Sequence, residues 1–203
     1  MRKNVKQLHR SDLFSWSVFN EERNIDFNGT LWLRPSGNIL IDPLPFTGHD
    51  INHLESLGGA AHVIITNSDH VRDAAEIVLL TGAKCWGPVA EKHDFPITCD
   101  GWLSEEEQPI KGIEVFCLNG SKTPGELALL IDDKTLVTGD LIRAHEGGYL
   151  RMLPEEKLQN HALALESIKR MASITRIQAV IPGDGWPIFN NGHEALVTLS
   201  QKI

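Results

Sequence analysis

Four times along this chain a short aliphatic run stops at a polar turn. Ile39-Leu40-Ile41 ends at Asp42, Val63-Ile64-Ile65 at Thr66, Thr135 to Val137 at Thr138-Gly139-Asp140, and Ala179-Val180-Ile181 at Pro182-Gly183-Asp184-Gly185. Uninterrupted aliphatic runs of this length read as buried strands. Helix-period segments with their own stops lie between them. Thr47 to Leu57 runs to Gly58-Gly59, and Arg72 to Leu80 presents Ala75, Val78 and Leu79 on one face before Gly82. The pattern predicts an α/β fold with polar residues at the ends of its strands.

The rest of the chain fits the same class. Gly29 to Arg34 is β-rich and closes on the turn Pro35-Ser36-Gly37-Asn38, and Lys84-Cys85-Trp86 closes on Gly87-Pro88. Ile113 to Leu118, Glu126 to Ile131 and Thr135 to Thr138 predict a further sheet, the last two strands joined by a hairpin turn at Asp132-Asp133-Lys134. Pro154 opens the longest predicted helix, to about Ala172, with Leu158, Ala162, Leu165 and Ile168 on one face. Glu194 to Lys202 predicts a last helix. With no linker, repeat or low-complexity segment, one domain is expected over residues 1–203.

Composition narrows the function classes. A net charge of −8 argues against a nucleic-acid binder, which needs a basic face to displace counterions. No apolar run approaches the ~20 residues that cross a bilayer. The basic start, Met1-Arg2-Lys3-Asn4-Val5-Lys6, is not followed by an apolar signal core. Cys85, Cys99 and Cys117 are odd in number and lack Cys-x-x-Cys spacing, so they read as reduced, buried thiols rather than a disulfide frame or a zinc knuckle. A cytoplasmic protein without nucleic-acid or membrane partners is the expectation.

Taken in order, Ile39-Leu40-Ile41-Asp42, the Thr66 loop, Thr123-Pro124-Gly125 and the two Gly-Asp turns resemble the metallo-β-lactamase superfamily. The resemblance spans roughly Gly29 to Gly185. It implies a four-layer αββα sandwich, metal-dependent hydrolysis, and metal ligands on loops at one edge. The family pattern is Thr-His-x-His-x-Asp-His, Gly-His-Thr-Pro-Gly, Gly-Asp and Pro-Gly-His-Gly. Here most of those ligands are replaced.

Registered directly from Thr66, Asn67 and Asp69 stand at the first two His positions, Val71 at the Asp and Arg72 at the third His. Lys122 (or Ser121) stands in the Gly-His-Thr-Pro-Gly motif, Asp184 replaces the last His, and Asp140 is retained. With a loop two residues shorter, Asp69-His70 coincide with the family's Asp-His instead. Asp69, His70, Asp140 and Asp184 could then surround one metal ion.

Charge arithmetic argues against a zinc pair. Two carboxylates about 4 Å apart repel by roughly 4 kcal/mol at an effective dielectric of ~20. Lys122 and Arg72 bring two cations to three carboxylates and read as replacements for the metals. Such a cluster does not lower the pKa of water as a metal does. Truncating Lys122 would then break a buried pair, which typically costs ~3–5 kcal/mol.

Three functions stay open. One is a hydrolase with one divalent ion, Asp69 or His70 serving as base. Another is a non-catalytic ligand-binding or interaction protein held by Lys/Arg–Asp salt bridges, with no metal. The last is metal-independent acid/base chemistry at Asp69 or His70. Arg143 and Trp186 are expected on the pocket rim, suited to a small anionic ligand, and Gly147-Gly148-Tyr149 as a mobile loop beside it. Plainer readings stand beside these: Asn67 and Asp69 as helix caps, Asp140 and Asp184 as turn residues, Asp42 as structural. His49, His53, His62, His93 and His193 show no convergent spacing.

Overall fold

The computed structural model describes residues 5–203, so Met1 to Asn4 of the basic start lie outside the described residues. In chain order the strands are β1 (Lys6–Gln7), β2 (Leu13–Asn20), β3 (Ile25–Trp32), β4 (Ile39–Ile41), β5 (His62–Ile64), β6 (Lys84–Pro88) and β7 (Gly101–Leu103). They are followed by β8 (Ile113–Cys117), β9 (Leu127–Ile131), β10 (Thr135–Thr138), β11 (Ile142–Glu146), β12 (Tyr149–Met152) and β13 (Ala179–Pro182). The helices are α1 (Gly48–Ser56), α2 (Ala74–Thr81), α3 (His161–Ala172) and α4 (Gly192–Lys202).

β1 to β7 form one sheet in sequence order, antiparallel as far as β4 and parallel from β4 onward. The switch follows from the connections: α1 and α2 carry the chain back between β4, β5 and β6, as parallel neighbours require. The second sheet has the order β13-β10-β9-β8, with β10 and β13 parallel. β11 and β12 make a separate ribbon.

Alternation within each strand divides the core into three layers of side chains. Ile39, Ile41 and Ile64 of the first sheet meet Leu127, Leu129, Ile131, Val137 and Ile181 of the second. The opposite faces turn outward to helices. Leu40, Val63 and Ile65 pack on Leu54 of α1 and on Ala74 and Ile77 of α2. Ala128, Leu130, Leu136 and Val180 pack on Ala164, Ile168 and Met171 of α3 and on Leu196 and Leu199 of α4. The result is the αββα sandwich, and both faces of each central strand are covered, which is why these runs are aliphatic throughout.

Two expectations change. The segment opened by Pro154 is not one helix: Glu155–Lys157 is a single 3-10 turn, and α3 begins only after Asn160. Gln159 and Asn160 donate their N–H groups to Ser121 and Gly120 carbonyls (3.0 and 3.2 Å), which holds the chain extended there. The Asn160 side chain then accepts from Leu163 N–H and caps the helix. Gly147-Gly148, expected as a mobile loop, is the tight turn between β11 and β12. The Asp132-Asp133 hairpin is present, with both residues left-handed at φ 48 and 58° as such a turn needs. Among the described residues no helix is long and apolar enough to cross a membrane.

Candidate functional site

The turns after β4 and β5 meet the turns after β10 and β13 at one edge of the sandwich. Leu127 N–H donates to Thr66 O (2.8 Å) and Asn28 N–H to Gly183 O (2.7 Å), tying the two sheets together there. Asp42 organises the first pair of turns. Its Oδ1 accepts from Thr66 N–H (2.7 Å), and its Oδ2 accepts from Thr66 Oγ1 (2.6 Å) and His70 Nδ1 (2.8 Å). Asn67 shapes the loop: its Oδ1 accepts the N–H groups of Asp69 (3.0 Å) and His70 (3.1 Å), capping the 3-10 turn Ser68–His70. Asn67 therefore caps this turn and not the helix that follows: α2 begins after Asp73, which makes no side-chain cap bond, and Asp69 caps neither. Glu91 supports the same loop by accepting from Ser68 N–H (3.0 Å).

His70 is buried, and with Nδ1 held by Asp42 its Nε2 faces Asp140 Oδ1 at 3.5 Å. Burial and the Arg72 charge both pull its pKa down, yet Asp42 and Asp140 outweigh them and push it up to about 10. The imidazole is thus a cation near neutral pH, with a proton to give and no capacity to take one. Asp140 is the reciprocal case. Burial opposes its ionisation, but the hydrogen bond and charge of His70, with Arg143 and Lys122, hold it well below the usual carboxylate range. Two glycines permit this packing. A Cβ on Gly183 would sit 2.6 Å from His70 Cε1, and one on Gly139 would sit 2.7 Å from Asn67 Nδ2.

Asp184 carries the other half of the site. Arg143 ion-pairs with its Oδ2, and Arg72 Nη2 stands 3.6 Å from its Oδ1. Arg72 spends most of its donors on carbonyls, those of Asn28 (2.6 Å), Asp42 (3.1 Å) and Gly183 (3.3 Å). It adopts φ +43°, a strained backbone for a non-glycine residue that these contacts must hold. His70, not Arg72, faces Asp140, which is the arrangement of the shorter-loop registration.

Asp69 does not join them. It pairs with Lys122 at the cavity mouth, the two side chains 40 and 43% exposed. The Lys122 pair is therefore a rim contact and not the buried one expected. Trp186 is 61% exposed beside the β11–β12 turn and does not line the cavity, whereas Arg143 does.

Sequence reasoning did not single out Glu126. Fully enclosed, it accepts from the N–H groups of Asp140 (2.7 Å) and Leu141 (2.8 Å) and from Ser121 Oγ. Burial and the Asp140 charge push its pKa up to about 8 despite those donors. A glutamate in the first position of an aliphatic strand run was the available signal. Asp42, read as structural, is also the residue that orients His70.

These residues open on a cavity of about 180 Å³. His70, Asp140 and Asp184 each offer a ligand atom into it, all within 4.8 Å of one another. The set suits one divalent ion: one imidazole nitrogen and two carboxylates. His70 has its second nitrogen locked by a carboxylate, as metal-bound histidines do. Among the described residues Asp184 Oδ1 accepts no hydrogen bond, Arg72 Nη2 being 3.6 Å away, and it is buried. Asp69, paired with Lys122 at the mouth, stands outside this set.

A profile of the metallo-beta-lactamase superfamily matches residues 5–203. The chain belongs to the metallo-β-lactamase superfamily. Solved structures of metallo-β-lactamases agree on the fold. The enzyme from Pontibacter korlensis shares 15% identity at a TM-score of 0.75, covering 100% of both chains. That from Hirschia baltica shares 14% at 0.76, covering 98% of this chain and 97% of that one. FIM-1 from Pseudomonas aeruginosa, solved in a mono-zinc form, shares 14% at 0.75, covering 98% and 95%. No curated protein matches the chain. At such identities the likeness to these solved structures carries the fold alone.

Proposed function

We propose that the protein is a hydrolase of this superfamily that works with one divalent ion, held by His70, Asp140 and Asp184, on a small anionic substrate. The observation that carries the reading is the convergence of those three ligand atoms within 4.8 Å, with Asp184 Oδ1 buried and, among the described residues, accepting no hydrogen bond. Bound there, a divalent ion would polarise a substrate oxygen and lower the pKa of water. The chain's own residues do the rest. Asp42 fixes the His70 ring, and Arg143 and Arg72 hold Asp184 in place. Arg23 and Lys157 line the same cavity and, among the described residues, have no carboxylate in ion-pairing distance, which supports an anionic substrate such as a carboxylate or phosphate ester. Asp69, steadied by Lys122 at the mouth, is the carboxylate available to a proton outside the buried cluster.

A second reading rests on charge balance. His70, Arg72, Arg143 and Lys122 bring four positive charges to Asp42, Asp69, Asp140 and Asp184, four negative ones. The cluster is neutral with no ion at all, which favours an anion-binding protein without metal. Calorimetric titration of untagged, chelator-treated protein with Zn²⁺ and Mn²⁺ separates the two. One ion per chain, bound with release of the His70 proton and lost in His70→Ala, is the expected result. No binding of either ion, with inorganic phosphate still bound, would sink the hydrolase reading in favour of the second.

A further inference from the structure

Away from the site, Cys85 and Cys99 lie with their sulfurs 3.1 Å apart. Cys85 is on β6 and buried, while Cys99 is half-buried in the segment leading to β7. The backbone holds the two together: Cys85 N–H donates to the Asp100 carboxylate (2.7 Å), and Asp100 N–H donates to Cys85 O (2.9 Å). Gly87 leaves the room, since a Cβ there would sit 3.3 Å from Cys99 Sγ and 3.2 Å from the Phe95 ring. The third cysteine, Cys117, is on β8 in the other sheet.

We infer that Cys85 and Cys99 are a thiol–disulfide modification site, oxidised to an intramolecular disulfide by low-molecular-weight disulfides of the glutathione type. Either sulfur can donate the shared hydrogen bond. That bond lowers the Cys85 thiol below its ordinary value and raises Cys99, so the pair holds one proton between the sulfurs on ionisation. From the singly ionised pair, with Cys85 as the thiolate, Cys99, the reachable sulfur, attacks one sulfur of R–S–S–R as its proton passes to the Cys85 thiolate. A Cys99–S–S–R bond forms, and the R–S–S–R bond breaks to release RS⁻. Cys85 then attacks the Cys99 sulfur, forming the Cys85–Cys99 bond and expelling the second RS⁻. Two electrons pass to the small disulfide; one RS⁻ takes the proton that Cys85 gives up and the other takes the proton released when the pair ionised, giving two RSH. The bond closes the loop carrying Phe95 and Ile97 onto β6. The same loop begins at Glu91, which holds the Ser68 N–H of the site loop.

The test is a peptide map of intact protein treated with oxidised glutathione. Trypsin separates Cys85 (residues 85–92), Cys99 (residues 93–111) and Cys117 (residues 112–122) into different peptides. The expected result is a linked 85–92/93–111 pair, lighter by two hydrogens, restored to free peptides by dithiothreitol and absent from Cys99→Ser. Three thiols still open to alkylation after treatment would overturn the inference. So would Cys99 trapped as a mixed disulfide that Cys85 never resolves.

Discussion

At the scale of single residues, the site contrasts two kinds of ion pair. Arg143 and Asp184 have side chains 10 and 3% exposed, so truncating the arginine strands a buried charge. Arg143→Met is expected to cost about 3–5 kcal/mol in urea unfolding, with part of the loss restored by an added divalent ion that takes over Asp184. Lys122→Ala removes a partly exposed pair and is expected to change stability by less than ~1 kcal/mol. A Lys122 effect as large as that of Arg143 would contradict the rim placement. Glu126 predicts a pH signature. Its folded pKa of about 8 lies above its ordinary value of 4.5, so the folded state binds the extra proton. The stability this contributes is fully present below pH 4.5 and is lost as pH rises through 8. Glu126→Gln keeps the acceptor for Asp140 and Leu141 N–H, and its unfolding free energy measured against pH should lack that decline relative to wild type.

At the scale of elements, the fold was legible wherever a strand is covered on both faces. β4, β10 and β13 come directly from aliphatic runs that touch helices on one side and the opposite sheet on the other. β2 was not legible: Ser15 and Ser17 interrupt Leu13 to Phe19, and the end of the strand is exposed. Nor was the true start of α3, which depends on carbonyls of Gly120 and Ser121 distant in sequence. The site was legible as a set of turns but not as a geometry. Nothing local to the Thr66 loop says that His70 points to Asp140, because Asp42 sets the ring angle and Gly183 leaves space for it. Gly183→Ala tests this directly. The new methyl would meet the His70 ring, and an unfolding cost of about 1–3 kcal/mol with weakened metal binding is expected. An unchanged titration would mean that the ring position does not matter.

At the scale of the whole molecule, the layer between the sheets draws on both halves of the chain. Leu13, Trp32 and Ile64 share it with Val115, Leu129 and Ile181. Neither sheet can keep its inner face dry alone, so calorimetry should give a single transition with equal calorimetric and van't Hoff enthalpies. Two resolved transitions would mean that the halves fold as separate units.

The four-against-four balance of charge also bears on how such a site can change over generations. Neutralising one member alone leaves its partner with an unmatched charge, at a cost of about 3–5 kcal/mol when the pair is buried, a large share of a domain's stability. For the fold alone, substitutions at Arg143 and Asp184 should therefore be tolerated mainly as coordinated changes, while a change at Asp184 also removes a ligand of the proposed ion. At Lys122 and Asp69, which are partly exposed, losing one partner strands no buried charge, so stability alone does not tie the two together. Across relatives of this chain, covariation should be strong for the first pair and weak for the second.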